Sequence, residues 1–316
     1  MRDGEIKTEY INIQTDFGFK HVFGNLKNKA ALMRFLNALF DGKITVTDVT
    51  YHDKEILPAE EGGKRIVYDV YCTSPLSRSQ SPFFSRILPS GKEDIQSDHH
   101  FILEMQNIYT PPFEERMVFY ASKMVASQGK AGWNYELDPV FAVAITDFNF
   151  SHLSPKLLRD VMLVDRDSGE PLTDKIHILL CSLKEVPQNW EECKTELEYV
   201  LFLIKNMDNM DNASLAYREG NFAEIFEAAR SNRLGKDEVI LYSQSLEKLR
   251  DTQRGIQYAA DRAREEARTE ALAEGRAEGR AEGRAEGRAD TLREKAEEAR
   301  KLGLSEDTIR LLFGNN

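Results

Sequence analysis

The chain has 316 residues, 41% hydrophobic and 30% charged, the balance of a globular protein with room for two domains of ~100–200 residues each. No apolar run approaches the ~18–20 residues of a membrane span, and the N-terminus MRDGEIKTEYINIQTD lacks the apolar stretch of a secretory signal, so a cytoplasmic protein is expected. With 53 acidic against 42 basic residues the net charge is −11, which excludes an overall basic field for nucleic acid and leaves a local patch or a metal ion to meet phosphate.

Along the chain, Phe17, Phe19, Val22, Phe23, Leu32, Phe35, Leu36, Leu39 and Phe40 predict an amphipathic helical region over Asp16–Phe40, interrupted near Gly24-Asn25, with Asp16 as N-cap. Strand patterns follow in ITVTDVTYHD (44–53), KRIVYDVYC (64–72) and HHFILEMQ (99–106). The Ser- and Pro-rich segment 73–98 between the last two reads as an exposed insertion. Phe113–Gln128 reads as a helix and PVFAVAITDF (139–148) as a strand buried on both faces, giving the order α-β-β-β-α-β. Two further strands near 160–165 and 175–183 precede helices from Asn189 onward.

The C-terminal third is repetitive. Val239, Tyr242, Leu246, Leu249, Gln253, Ile256, Ala260, Ala263 and Ala267 follow 3-4-3-4 spacing, a seam that serves either packing on the chain's own domain or a homo-oligomer through 239–267. Residues 273–288 are four AEGR tetrapeptides, whose glycines each cost roughly 1 kcal/mol of helix propensity. A tether or weak helix is expected over 268–300. A short helix capped at Ser305, with Asp307 completing the signal, is expected in 301–316.

The chemistry concentrates on two strands. Period two puts Glu104 and Gln106 on one face, roughly 7 Å apart, while Asp69 lies inside an otherwise apolar strand. Two carboxylates on neighbouring strands can hold one hard divalent cation through oxygen ligands, with carbonyls of Met105 and Asn107 completing the shell. Read from the residues alone, the alternative stands beside it: Asp69 and Glu104 exposed, or paired with Lys64, Arg65 or Arg116. His99 and His100 face opposite ways and read as edge or turn residues, and Cys72 as a small buried one. Three widely spaced cysteines (Cys72, Cys181, Cys193) support neither a disulfide framework nor a zinc knuckle, and no phosphate-binding loop or nucleophile elbow is present.

Taken together, TDFGFKHVFG (15–24), Asp69 in KRIVYDVYC, Glu104 and Gln106 in FILEMQN, and the helix ERMVFYASKMVASQGKAGWNYEL (115–137) followed by PVFAVAITDF resemble the PD-(D/E)XK nuclease superfamily, specifically the Rpn family of recombination-promoting nucleases and transposases. The resemblance covers residues 12 to about 150. It implies an α/β restriction-endonuclease-like αβββαβ core within 1–185, carrying the insertion 73–98, then additional strands and a helical C-terminal region. It also implies a Mg²⁺-dependent endodeoxyribonuclease in which Asp69 and Glu104 ligate the metal and Gln106 orients water or completes the site. Arg116, Tyr120 and Gln128 stand at the family's polar positions, and Asp16 is a further acidic candidate. Gln106 replaces the superfamily lysine and cannot offer positive charge; Lys20 or Lys123 could supply it from a helix. DNA is the implied partner, with no membrane. The competing reading is a catalytically silent oligomeric binding or scaffold protein that keeps the nuclease fold.

Overall fold

In the computed structural model, residues 8–42, 44–56, 66–77, 96–210 and 218–314 are described. The chain divides into two compact units, Met1–Lys248 and Leu249–Asn316.

The first unit opens with α1 (Asp16–Phe23), a 3-10 turn at Leu26–Asn28, and α2 (Lys29–Phe40). The interruption near Gly24-Asn25 falls where it was expected. The N-cap does not: the Thr15 side chain accepts from the Gly18 N–H, and Asp16 is the first helical residue. Thr15 can take this role because its own backbone is extended while Asp16 has already turned helical.

Short strands β1 (Thr50–Tyr51), β2 (Glu55–Ile56) and β3 (Ile66–Val67) lead to β4 (Val70–Ser77) and β5 (Gln96–Gln106). Then come α3 (Phe113–Ser127), β6 (Val140–Thr146), β7 (Leu158–Met162) and β8 (Ile176–Ser182). The strand expected over 44–53 is mostly unpaired. Ile44, Val46 and Val49 are buried, but they cover the core as coil, and only Thr50 and Tyr51 join the sheet. The hairpin arms β4 and β5 run on to Ser77 and from Gln96, into the expected insertion, whose residues 78–95 lie outside the described residues, as do Lys64 and Arg65.

The main sheet has six strands in the order β1-β4-β5-β6-β8-β7. β5, β6 and β8 run parallel at its centre, flanked by antiparallel pairings on both sides. Such central strands bury both faces. Phe101, Leu103, Phe141, Val143 and Ile145 pack into one core with α1, α2, α4 (Glu196–Asn206) and α5 (Ala223–Ala228). Ile102, Ala142 and Ala144 pack on the other face against Phe113, Met117, Ala121 and Met124 of α3. Histidines 99 and 100 stand on the central strand β5 rather than at an edge, because that strand begins three residues earlier than its hydrophobic pattern suggests. His99 is buried and stacks on Phe141.

α6 (Lys236–Lys301) starts in this unit, and its first turns are taken up by the unit's own core. The Tyr242 hydroxyl accepts the Asn12 N–H at 2.8 Å, the Ser245 hydroxyl accepts that of Phe17 at 3.1 Å, and Leu246 packs partly buried against the core.

In the second unit, α6 continues through the AEGR block as regular helix, with Glu and Arg of all four repeats exposed. Ile256, expected to be buried in the seam, is 47% exposed. The seam fades a turn earlier than its spacing suggests, since Gln253 before it and the alanines after it are too polar or too small to hold it. Gly303, at φ +83°, turns the chain into α7 (Glu306–Phe313), capped by Ser305 accepting from the Thr308 N–H. Ile309 is buried, and Glu306 pairs with Arg300 at 2.8 Å.

Candidate metal site and its cations

Asp69 is placed by a slip in register. β1 and β4 pair as Thr50↔Thr73 and Tyr51↔Cys72, whereas β2 and β3 pair as Glu55↔Val67 and Ile56↔Ile66. Between these ladders the residues 52–54 oppose 68–71, so the second strand carries one extra residue. This is a β-bulge, which breaks pairing and re-aims a side chain. The His52 N–H still reaches the Tyr71 carbonyl at 3.1 Å, and the Tyr68 N–H reaches the Lys54 carbonyl at 2.9 Å. Consequently Tyr68 and Tyr71, three apart, share the core under α3. Asp69, at the bend, turns its Oδ2 to accept the Met105 N–H of β5 at 3.0 Å.

Glu104 lies one step along β5 from Leu103, which pairs with Val70, and so comes beside Asp69. It is only 7% exposed, and its Oε1 is buried with no hydrogen-bond partner. Burial foremost, and then the Asp69 charge, push its pKa up to about 8; Arg116, Lys20 and a backbone hydrogen bond from Asp69 pull the other way. An isolated carboxylate here would be expensive. The site therefore holds either a proton or a cation.

Gln106 shares the Glu104 face and is fixed at both ends. Its Nε2 donates to the Ile108 carbonyl at 2.8 Å, and its Oε1 accepts from Arg116 Nη2 at 2.8 Å. The oxygen keeps a second lone pair. Arg116 stands on α3 with its guanidinium 4.9 Å from the Phe113 ring centroid. One turn on, Tyr120 meets Tyr68 edge-to-face at 5.1 Å, and burial raises its pKa, with the charges of Glu104 and Asp69 adding to the effect. The Tyr68 hydroxyl and Asn107 Oδ1 are also buried without partners.

The segment TDFGFKHVFG is the platform that delivers a cation from the opposite side. Thr15 caps, Phe19, Val22 and Phe23 enter the core, and Gly18 lets the Asn12 carbonyl approach so closely that a Cβ would lie 2.1 Å from its oxygen. Lys20 is thereby aimed at the carboxylates, with its Nζ 3.1 Å from Asp69 Oδ1 and 2.5 Å from Asp16 Oδ1. Of the two lysines considered from sequence, Lys20 is the one in contact with Asp69. Gln128 serves elsewhere: it exchanges two hydrogen bonds with the Asp138 backbone and pins the end of α3.

The structure thus brings together Asp16, Lys20, Asp69, Glu104, Gln106, Arg116 and Tyr120. Sequence reasoning missed Lys54, whose ammonium lies in the field of Lys20, Asp69 and Asp16. Its only signal is its position in HDKE, directly before β2. Among the described residues no cluster of three or more His, Cys, Asp or Glu ligands forms. Two carboxylates with an orphaned oxygen fit a hard divalent ion that takes the rest of its shell from carbonyls and water. They do not fit a transition-metal centre built on histidine or thiolate. Cys72 is buried, its thiol pushed up to about 12 by burial.

A six-stranded mixed sheet with helices packed on both faces is a restriction-endonuclease-like α/β fold. The profile of the PD-(D/E)XK nuclease family transposases matches residues 13–77 and 92–259, most of the chain, and the chain belongs to that family. The match skips 78–91, within the segment read as an insertion. No curated protein and no solved structure gives a significant match. Among the described residues no helix is long and apolar enough to cross a membrane.

Proposed function

We propose that the chain is a divalent-metal-dependent endonuclease that hydrolyses phosphodiester bonds in DNA, within the transposition-related role its family implies. The observation that carries this is the buried, unpartnered Glu104 oxygen beside Asp69. Asp69 and Glu104 would hold the ion, and Mg²⁺ suits an all-oxygen set. When bound, the ion supplies a Lewis acid for the phosphoryl oxygen and a water of lowered pKa.

The chain's own residues do the rest. Asp69 is held in place by the Met105 N–H and Lys20. Glu104, whose pKa burial raises, would release its proton in order to hold a cation. Arg116 fixes the Gln106 amide, whose free lone pair can accept a hydrogen bond from the attacking water. Lys20, paired with Asp16 and Asp69, would occupy the second Asp69 oxygen until an ion takes its place there.

A second reading, a silent binding or scaffold protein, draws on the same contacts: Lys20 already occupies Asp69, and both ends of Gln106 are engaged. Supercoiled plasmid and single-stranded RNA incubated with purified chain in Mg²⁺, Mn²⁺ or Ca²⁺ separate the two. Metal-dependent nicking of the plasmid, lost in Asp69→Ala and Glu104→Ala, is expected. Intact plasmid with every ion would favour the scaffold, and cleavage of RNA alone would reassign the substrate.

A further inference from the structure

We propose that Lys54 is the cation that contacts the substrate phosphate, a proposal that rests on the nuclease reading above. Three basic side chains surround the acidic pair, and two are already engaged. Lys20 is neutralised by Asp16 and Asp69. Arg116 is bonded to Gln106 and lies over the Phe113 ring. Lys54 is partly buried, and among the described residues its ammonium makes no ion pair or hydrogen bond.

The fold holds it there deliberately. The Lys54 carbonyl accepts the Tyr68 N–H at 2.9 Å, which fixes its backbone across from the bulge that presents Asp69. Its ammonium passes over Gly24, where a Cβ would come within 3.1 Å of Nζ and 2.8 Å of the Lys20 carbonyl oxygen. Glycine at the end of α1 therefore leaves the space the lysine occupies.

Lys54 lies in the repulsive field of Lys20 and, unlike it, has no carboxylate in contact among the described residues. Lys20 already has both carboxylates, and the Lys54 ammonium is disfavoured first by desolvation and then by Lys20, with the charges of Asp69 and Asp16 acting the other way. A partly desolvated charge without a partner is costly until an anion arrives. A nonbridging oxygen of a phosphodiester is the anion this surface would meet when a strand is laid across Asp69 and Glu104. Lys54 then supplies, from the bend directly before β2, the positive charge that Gln106, at the usual lysine position, cannot.

The test compares wild type, Lys54→Gln and Lys54→Arg on a fluorescently labelled 20-base-pair duplex, read by anisotropy in Ca²⁺ across a salt series and by cleavage in Mg²⁺. Lys54→Gln should flatten the slope of log K against log salt by about 0.9, one phosphate contact. It should also lower the cleavage rate at saturating DNA by about 10²-fold. Lys54→Arg should keep the wild-type slope. Removing the lone charge should leave the melting temperature of Lys54→Gln unchanged or raised, which separates substrate contact from a structural role. A wild-type slope and rate in Lys54→Gln, or a lowered melting temperature with DNA affinity intact, would overturn the proposal while leaving the nuclease reading standing. A wild-type chain that neither binds nor cuts the duplex would overturn both.

Discussion

Replacing Glu104 by Gln keeps the shape of the side chain and removes its charge, and the structure fixes the direction of the result. The Glu104 pKa rises from the ordinary 4.5 to about 8 on folding, through burial first and the Asp69 charge second. Between those values the folded chain holds a proton that the unfolded chain has released, so stability falls as pH rises from 4.5 to about 8 and then levels off. At about 1.4 kcal/mol per pH unit across that interval, Glu104→Gln should be more stable than wild type by on the order of 3–5 kcal/mol at pH 9. The melting temperature should rise by roughly 10 °C, and the two proteins should converge near pH 4. Thermal unfolding in a chelator from pH 4 to pH 9 measures this. Mg²⁺ should then raise the melting temperature of wild type at pH 9, since it favours the charged carboxylate, and should do little for the variant. A pH-independent difference, or a variant less stable at pH 9, would refute the reasoning that Glu104 is buried without a compensating partner.

Other substitutions probe the supports. Arg116→Ala removes the donor to Gln106 Oε1 and a charge that lowers the Glu104 pKa, so Glu104 should titrate still higher by carbon NMR, and stability should drop by about 1–3 kcal/mol. An unmoved titration would show that Arg116 does not act on the pair. Tyr242→Phe strips the acceptor from the Asn12 N–H and should cost about 1–3 kcal/mol in urea unfolding; an unchanged midpoint would mean that α6 does not anchor the segment before α1. Gly18→Ala places a Cβ 2.1 Å from the Asn12 carbonyl oxygen, and overpacking of this kind costs about 1–3 kcal/mol or more, visible as a lowered melting temperature. A wild-type melting temperature would show that the Asn12 turn yields freely.

Much of this was legible because side-chain periodicity is local. Glu104 and Gln106 share a face by strand geometry alone, and the apolar run in β6 announces burial on both sides. The helix interruption at Gly24 follows from residue type. What sequence could not give depends on register. The extra residue between the β1–β4 and β2–β3 ladders is invisible in KRIVYDVYC, yet it turns Asp69 toward Met105 and brings Lys54 across from it. Ile44, Val46 and Val49 imitate a strand because they cover the core, although the backbone of Val46 bonds the Asn37 side chain rather than a neighbouring strand. Ile256 fits the seam by spacing and still faces solvent, since spacing alone does not supply a partner surface.

Asp69 and Glu104 together are proposed to form one divalent-ion site. Titration of Mn²⁺ into the purified chain, read by electron paramagnetic resonance of the free ion, tests it most directly. One tightly held Mn²⁺ per chain, displaced by Mg²⁺ and lost in both Asp69→Ala and Glu104→Ala, is the predicted result. Undiminished Mn²⁺ binding in the Asp69→Ala, Glu104→Ala double variant, or no binding by the wild-type chain at pH 8, would contradict it.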